Sequence, residues 1–302
     1  MRALVLSLMF VAPACGRTEL LDLGPSPPVR DLAVQFDLAA PDLFVRTDEC
    51  ADGPRRLFVV DDNQRLARFR PDTLTFTEVG SLRCPTSAGS TPFSMPFSMA
   101  VEQSGAAWVV YSSGELFRVD TTDASCRATG YIARPSSDPF TVFGMSFVPD
   151  APNGAIESLF VAGESFNQLP GRLGRIDLAS LTLTEIAPFS GLGSPELSGS
   201  PDGRLFGFFP TESMPRVSEI DPQSGVETQV RMLPELRASS SLGNSAWAFA
   251  YWGGDFWIFL QRGTDSSSKV FRLGADGSFQ TALPYTGRSI VGAGVSTCKR
   301  VN

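Results

Sequence analysis

The chain has no histidine in its 302 residues. That removes the Ser-His-Asp and Cys-His nucleophile systems, His-ligated zinc and the commonest general base at neutral pH. Charge is sparse: 19% of residues are Asp, Glu, Lys or Arg, with a formal net charge of −7 and a sequence pI near 4.8. Wide nucleic-acid contact needs a basic surface that displaces counterions from phosphate, so no nucleic-acid partner is expected. Long apolar runs are missing as well. Ala3 to Val11 is a run of nine residues, too short to cross a bilayer as a helix, and no other run approaches a membrane span. What remains forms a core: 42% of residues are hydrophobic, including 23 Phe, and mean hydropathy is near zero. Disordered chains have lower hydropathy and more charge.

The run Ala3 to Val11 follows Met1-Arg2 and precedes Ala12-Pro13-Ala14-Cys15, the arrangement of a secretory signal. Ala12-Pro13-Ala14 reads as an ordinary signal-peptidase site, whereas small residues just before Cys15 resemble a bacterial lipobox. The lipobox reading makes residues 1–15 a signal peptide and Cys15 the lipid-bearing residue. It leaves Cys50, Cys84, Cys126 and Cys298, an even set suited to two disulfides in an oxidising compartment. Residues 16–49 carry prolines and the echoes Asp31-Leu32-Ala33, Asp37-Leu38-Ala39 and Pro41-Asp42-Leu43 without a sustained period, and read as a disordered tether.

From about Gly53 onward the chain repeats itself. Leu116-Phe117-Arg118-Val119-Asp120, Leu173-Gly174-Arg175-Ile176-Asp177 and Val217-Ser218-Glu219-Ile220-Asp221 share one pattern, with looser copies at Leu66 to Arg70 and Val270 to Gly274. An apolar run precedes each, and an alternating segment follows each. A fourth segment alternates large and small residues, as in Phe97-Ser98-Met99-Ala100-Val101 and Trp247-Ala248-Phe249-Ala250-Tyr251, a strand period with one crowded face. Turn signals such as Asn153-Gly154 and Asp202-Gly203 separate the strands. Four strands per repeat over five repeats of about fifty residues predict an all-β fold. It is a β-propeller of five four-stranded blades over residues 50–302, with the small-residue strand innermost. Six blades need a further repeat, which is not seen. The first repeat lacks an inner strand, so Ser289 to Thr297 is expected to close the ring by completing the first blade.

Closure gives the cysteines a use. A Cys50–Cys298 bridge locks the ring, and Cys84 and Cys126 form the second bridge between adjacent blades. Four cysteines allow three pairings, and spacing alone leaves them open.

In such a blade the inner strand starts at one face, where the inter-blade connections and the second-to-third-strand loops gather. The long connections fall there: Arg83 to Pro96, Tyr131 to Thr141, Gly163 to Arg172, Pro234 to Ser245 and Gln261 to Lys269. Long loops on a rigid scaffold commonly carry binding. The inner-strand column Ser98, Gly144, Glu196, Ala248, Gly292 holds one acid. Glu196 is expected at the channel mouth, where water, a cation or a ligand offsets desolvation. Asn244, Tyr285 and Arg288 in nearby inter-blade loops complete the candidate ligand set. Gly292-Ala293-Gly294 lies too near the end of the chain for a dinucleotide-binding unit, and Asp61-Asp62-Asn63 lacks the spaced ligands of a calcium loop. No cofactor, metal or catalytic residue is expected.

The Asp-Leu-rich segment after Cys15 resembles the linkers of predicted myxobacterial lipoproteins, and the repeats over residues 53–302 resemble the propeller lipoproteins of those bacteria. That resemblance implies an exported, lipid-anchored envelope protein, outer-membrane-sorted with Gly16 after the lipid-bearing cysteine, or else soluble in the periplasm or secreted. Its propeller is expected to bind an envelope glycan, peptide or protein partner through the long-loop face without catalysis. The rival is a hydrolase or lactonase acting on sugars, with Glu115, Glu164 and Glu212 as the other acids of that face. Peptide mapping without reduction checks the cysteine reading: Cys50–Cys298 and Cys84–Cys126 cross-links are expected, and a Cys50–Cys84 link would overturn it.

Overall fold

Each repeat folds alike because the same alternation of apolar runs and turns recurs. The computed structural model describes residues 56–87, 94–165, 168–190, 193–211, 213–237 and 243–298, with residues 165, 168 and 169 as backbone alone. The expected signal peptide, Cys15, the tether 16–49, Cys50 and Glu212 lie outside the described residues.

The strands are β1 (Leu57–Asp61), β2 (Arg65–Arg70), β3 (Thr75–Ser81), β4 (Pro96–Val101), β5 (Ala107–Tyr111), β6 (Leu116–Val119) and β7 (Cys126–Ala128). Next come β8 (Phe143–Pro149), β9 (Glu157–Ser165), β10 (Gln168–Ile176), β11 (Leu183–Pro188), β12 (Glu196–Gly199), β13 (Leu205–Phe209), β14 (Arg216–Ile220) and β15 (Glu227–Met232). The last are β16 (Asn244–Trp252), β17 (Asp255–Arg262), β18 (Lys269–Leu273), β19 (Phe279–Leu283) and β20 (Ile290–Val295). They form five four-stranded sheets: β20-β1-β2-β3, β4-β5-β6-β7, β8-β9-β10-β11, β12-β13-β14-β15 and β16-β17-β18-β19, which are blades 1 to 5. All pairings are antiparallel, and the C-terminal strand completes blade 1 with Leu57 opposite Val295. The inner strands β20, β4, β8, β12 and β16 touch in succession and β16 returns to β20. The protein is a five-bladed β-propeller.

The connections follow from local chemistry. Asp120, Asp177 and Asp221, which end the repeat motif, each accept a backbone N–H in the next turn, from Thr122, Ser180 and Gln223 at 2.7–2.8 Å. These turns fold β6, β10 and β14 back onto the outer strands. In the turns between third and fourth strands Leu74, Ala124 and Leu181 of blades 1 to 3 adopt positive φ (55°, 61° and 56°), where blades 4 and 5 place Gly225 and Gly277. A side chain in that conformation costs roughly 1–2 kcal/mol. All three are packed into seams between blades, which offsets the strain.

Those seams are the core. Five hydrophobic clusters each draw from two adjacent blades; Val60 and Leu66 of blade 1, for instance, pack with Met99, Val109 and Phe117 of blade 2. The seam between blades 5 and 1 joins Phe69 to Trp257 and Phe259, so the ring is sealed by burial as well as by β20. Fully burying each such side chain contributes about 1.5–3 kcal/mol. Trp247, Tyr251, Trp252 and Trp257 all belong to or pack against these clusters.

One sequence expectation changes, and one cysteine pair is found as expected. Gly163 to Arg172 is a long hairpin of β9 and β10 rather than a loop, with an irregular register between Gln168 and Arg172. Pro170 and Gly171 carry the punctuation of a turn, yet the ladder absorbs them there as an irregularity. Of the cysteines, Cys84 and Cys126 form a disulfide between the end of blade 1 and the outer strand of blade 2. Cys298 is also disulfide-bonded, and Cys50, its expected partner, lies outside the described residues.

The inner strands approach so closely that Gly144 has no room for a side chain: a Cβ there would lie 2.4 Å from the Pro195 carbonyl oxygen and 2.9 Å from the Glu196 Cα. Both obstacles are backbone. Gly144→Ala is therefore expected to lower unfolding free energy by about 1–3 kcal/mol, as overpacking does. Denaturant melts measure this, and a loss below about 0.5 kcal/mol would show that the neighbouring strand yields.

Candidate functional site

The face where inner strands begin is here the entry face, and the one where they end the exit face. On the entry face Glu196 opens β12 and Ser98 lies in β4. The Ser98 hydroxyl donates to Glu196 Oε2 at 2.8 Å. These strands belong to blades 4 and 2, so the bond reaches past blade 3, where Gly144 leaves the space. Glu196 is 3% exposed and Ser98 is fully buried. Burial pushes the Glu196 carboxyl up to about 8, and the Ser98 hydrogen bond offsets part of that rise. At neutral pH it holds its proton, as a neutral hydrogen-bonding group at the ring centre.

The other candidates are engaged elsewhere. The Asn244 side-chain amide donates to the Pro210 carbonyl at 2.6 Å, bridging blade 5 to blade 4. Arg288 donates to Asp61 Oδ2 at 3.1 Å and to Glu78. Asp61, itself 0% exposed, also accepts from the Arg65 side chain at 3.0 Å and from the backbone of Asn63 and Arg65. Arg288 thus ties the connection before β20 to blade 1, and Asp61 serves an ion-pair network. Tyr285 is 62% exposed on the same connection. No hydrogen bond or ion pair joins any two of Glu196, Asn244, Tyr285 and Arg288 among the described residues.

The exit face holds a further acid, half-buried. Glu157, at the start of β9, accepts from the Gln103 backbone N–H at 2.6 Å and from the Thr297 hydroxyl at 2.9 Å. These three residues join blades 2 and 3 to the segment after β20. Burial pushes the Glu157 carboxyl up to about 7, opposed in part by those hydrogen bonds. Nothing in the sequence singles out Glu157, because Arg56, Arg204 and Asp255 also stand at or just before second strands.

Beside Glu157 the exit face opens into a cleft of about 800 Å³, lined among others by Gln103, Trp108, Arg118, Arg127 and Leu181. This cleft lies on the face opposite the long connections. The Trp108 indole N–H donates to Glu102 Oε2 at 3.1 Å, and Arg118 pairs with the same carboxylate, so two cleft residues are held by one acid. No group of three or more Cys, Asp and Glu side chains among the described residues is placed to hold a metal ion.

No protein-family model matches the sequence, and no curated protein matches it. Solved structures do resemble the fold. Hydrazine synthase of Kuenenia stuttgartiensis is similar over 75% of this chain and 65% of its own, with 16% identity and a TM-score of 0.40. A chain of the nidogen/laminin complex is similar over 80% and 98%, with 11% identity and a TM-score of 0.45. TolB from Acinetobacter baumannii is similar over 80% and 66%, with 14% identity and a TM-score of 0.44. This chain thus spans less than two thirds of the hydrazine synthase chain, and the class rests on its own blades.

The buried acid makes a pH prediction. In the unfolded chain the Glu196 carboxyl loses its proton near 4.5, whereas in the folded protein it keeps it to about 8. Between those values the folded state binds more protons, so stability falls as pH rises through that window and levels off above it. Melting temperature from about pH 5 to pH 9 should decline in the wild type and decline less in Glu196→Gln, whose amide does not titrate. Parallel curves would show that Glu196 ionises alike in both states.

Proposed function

We propose that the chain is an exported envelope protein, lipid-anchored at Cys15 and sorted to the outer membrane, whose propeller is a non-enzymatic binding module for an envelope glycan, peptide or protein. The observation that carries the binding reading is the open cleft of about 800 Å³ on the exit face. It moves the expected binding surface from the long-loop face to the opposite one. The Cys84–Cys126 disulfide supports an oxidising compartment outside the cytoplasm.

Against the sugar-hydrolase alternative stands the state of the acids. Such chemistry needs two carboxyls flanking a reachable bond. Glu196 is buried against Ser98, and Glu115 on the same face accepts from Ser87 and Ser113. Glu164 is exposed near the end of β9, and Glu212 lies outside the described residues.

Anchoring and binding are tested separately. Labelled palmitate is expected in the wild type and absent from Cys15→Ser, which should shift to the soluble fraction; a soluble, unlabelled wild type would overturn the anchor. The purified protein is then incubated with envelope polysaccharide and peptidoglycan while retained protein and released sugar are measured together. Retention without release, largely lost when Ala179→Trp fills the cleft, is expected. Sugar release abolished by Glu196→Gln would make this an enzyme, and retention insensitive to Ala179→Trp would return the binding surface to the entry face.

A further inference from the structure

The five blades are aligned copies, so a position that differs in one blade stands out. Across each blade the central residue of the repeat motif pairs inward with an aromatic residue: Phe58 with Arg68, Trp108 with Arg118, Phe160 with Arg175, Phe206 with Glu219 and Trp257 with Arg272. Outward it pairs with Thr77, Arg127, Thr184, Thr228 and Gln280 respectively. Four blades thus set a neutral residue on the outer strand opposite the charged one. Blade 2 sets Arg127 directly opposite Arg118.

Like charges directly opposed across strands are destabilising, so this juxtaposition asks for a compensating anion. Arg118 has one in Glu102. Arg127 is exposed and makes no side-chain hydrogen bond or ion pair among the described residues. Both arginines line the exit-face cleft together with Arg56, and Asp120 is the one carboxylate among its described lining residues. Asp120 accepts from the backbone and hydroxyl of Thr122 at 2.8 and 2.6 Å, and its charge acts on Arg118 and Arg127 at longer range without a hydrogen bond to either among the described residues. Among the described residues the cleft lining thus brings Arg118 and Arg127 together with an ion pair to Arg118 alone, on a chain whose net charge is −7.

We infer that this cleft is an oxyanion site, in which Arg127, beside Arg118, holds a carboxylate or phosphate group of the bound ligand. Planar guanidinium forks match both groups in bidentate geometry. Leu178 and Leu181, from the turn between β10 and β11, line the same cleft and give the ligand's uncharged part an apolar surface. The inference rests on the binding-module reading and names the chemistry that the module takes.

The test titrates the intact protein by calorimetry at low ionic strength with citrate, a carboxylate probe, and with inorganic pyrophosphate, a phosphate probe. The variants are Arg127→Gln and, as a control for net charge, Arg231→Gln on the exposed outer strand of blade 4. Saturable binding of at least one probe is expected, weakened about tenfold or more in Arg127→Gln, the scale of a lost hydrogen bond to a charged group. Arg231→Gln is expected to bind as the wild type does. Which probe binds tells carboxylate from phosphate. Because Arg127→Gln relieves a like-charge contact, its melting temperature should not fall, and the bound probe should raise the melting temperature of the wild type and of Arg231→Gln more than that of Arg127→Gln. Absence of binding by both probes, or equal weakening in both variants, would overturn the site. Retention on envelope polymers without binding of either small anion would leave the module reading standing and sink this one.

Discussion

Five backbones converge on one axis, and that crowding governs the rest of the fold. A Cβ on Gly199 would lie 2.0 Å from the Phe147 carbonyl oxygen, and one on Gly292 would lie 2.9 Å from the Met99 amide nitrogen. Two of the serines on the inner strands bond the backbone of the neighbouring strand through their short hydroxyls. Ser146 accepts from the Gly199 N–H at 2.7 Å, and Ser198 from the Tyr251 N–H at 2.8 Å. Small residues at the centre let the large ones fill the seams outside it, so the blades wedge together without voids.

Two acids near the inner strands are shielded from solvent and respond accordingly. Glu196 and Glu157 sit at opposite ends of the ring, each with hydroxyl or amide partners and no cation, and each is pushed up by burial. Asp61 is fully buried but meets Arg65 and Arg288. The contrast follows from position: Asp61 lies at the end of a second strand, within reach of long side chains from neighbouring connections, whereas the inner strands are flanked by glycine, alanine and serine. The charged side chains are thereby displaced from the axis to the rims, where the arginines are.

Much of this was legible in the residue pattern. The motif ending in Asp120, Asp177 and Asp221 marks a strand and the turn that folds it back, and the large-small alternation around Ser98 and Ala248 marks the crowded centre. The spare C-terminal segment marks the closure. What stayed hidden depends on register and on distant partners. Glu157 is held by Gln103 and Thr297, which are far from it in sequence. The cleft arises where the exit-face turns of blades 2 and 3 meet the ends of β1 and β20, a juxtaposition that no local period encodes. The opposition of Arg118 and Arg127 becomes visible only when the turn between β6 and β7 sets the pairing.

Completion of blade 1 by the last strand has a consequence for how the molecule is made. Leu57 pairs with Val295, so a chain synthesised or threaded through a translocon from its N-terminus holds β1 with one edge unpaired until almost every other residue has arrived. Such an edge is a template for pairing with another chain, and closing so distant a contact is slow because the loop entropy must be overcome first. The interval between emergence of β1 and arrival of β20 is therefore the window in which intermolecular strand exchange competes with ring formation, and a chaperone that shields one strand edge is the kind of help this architecture calls for.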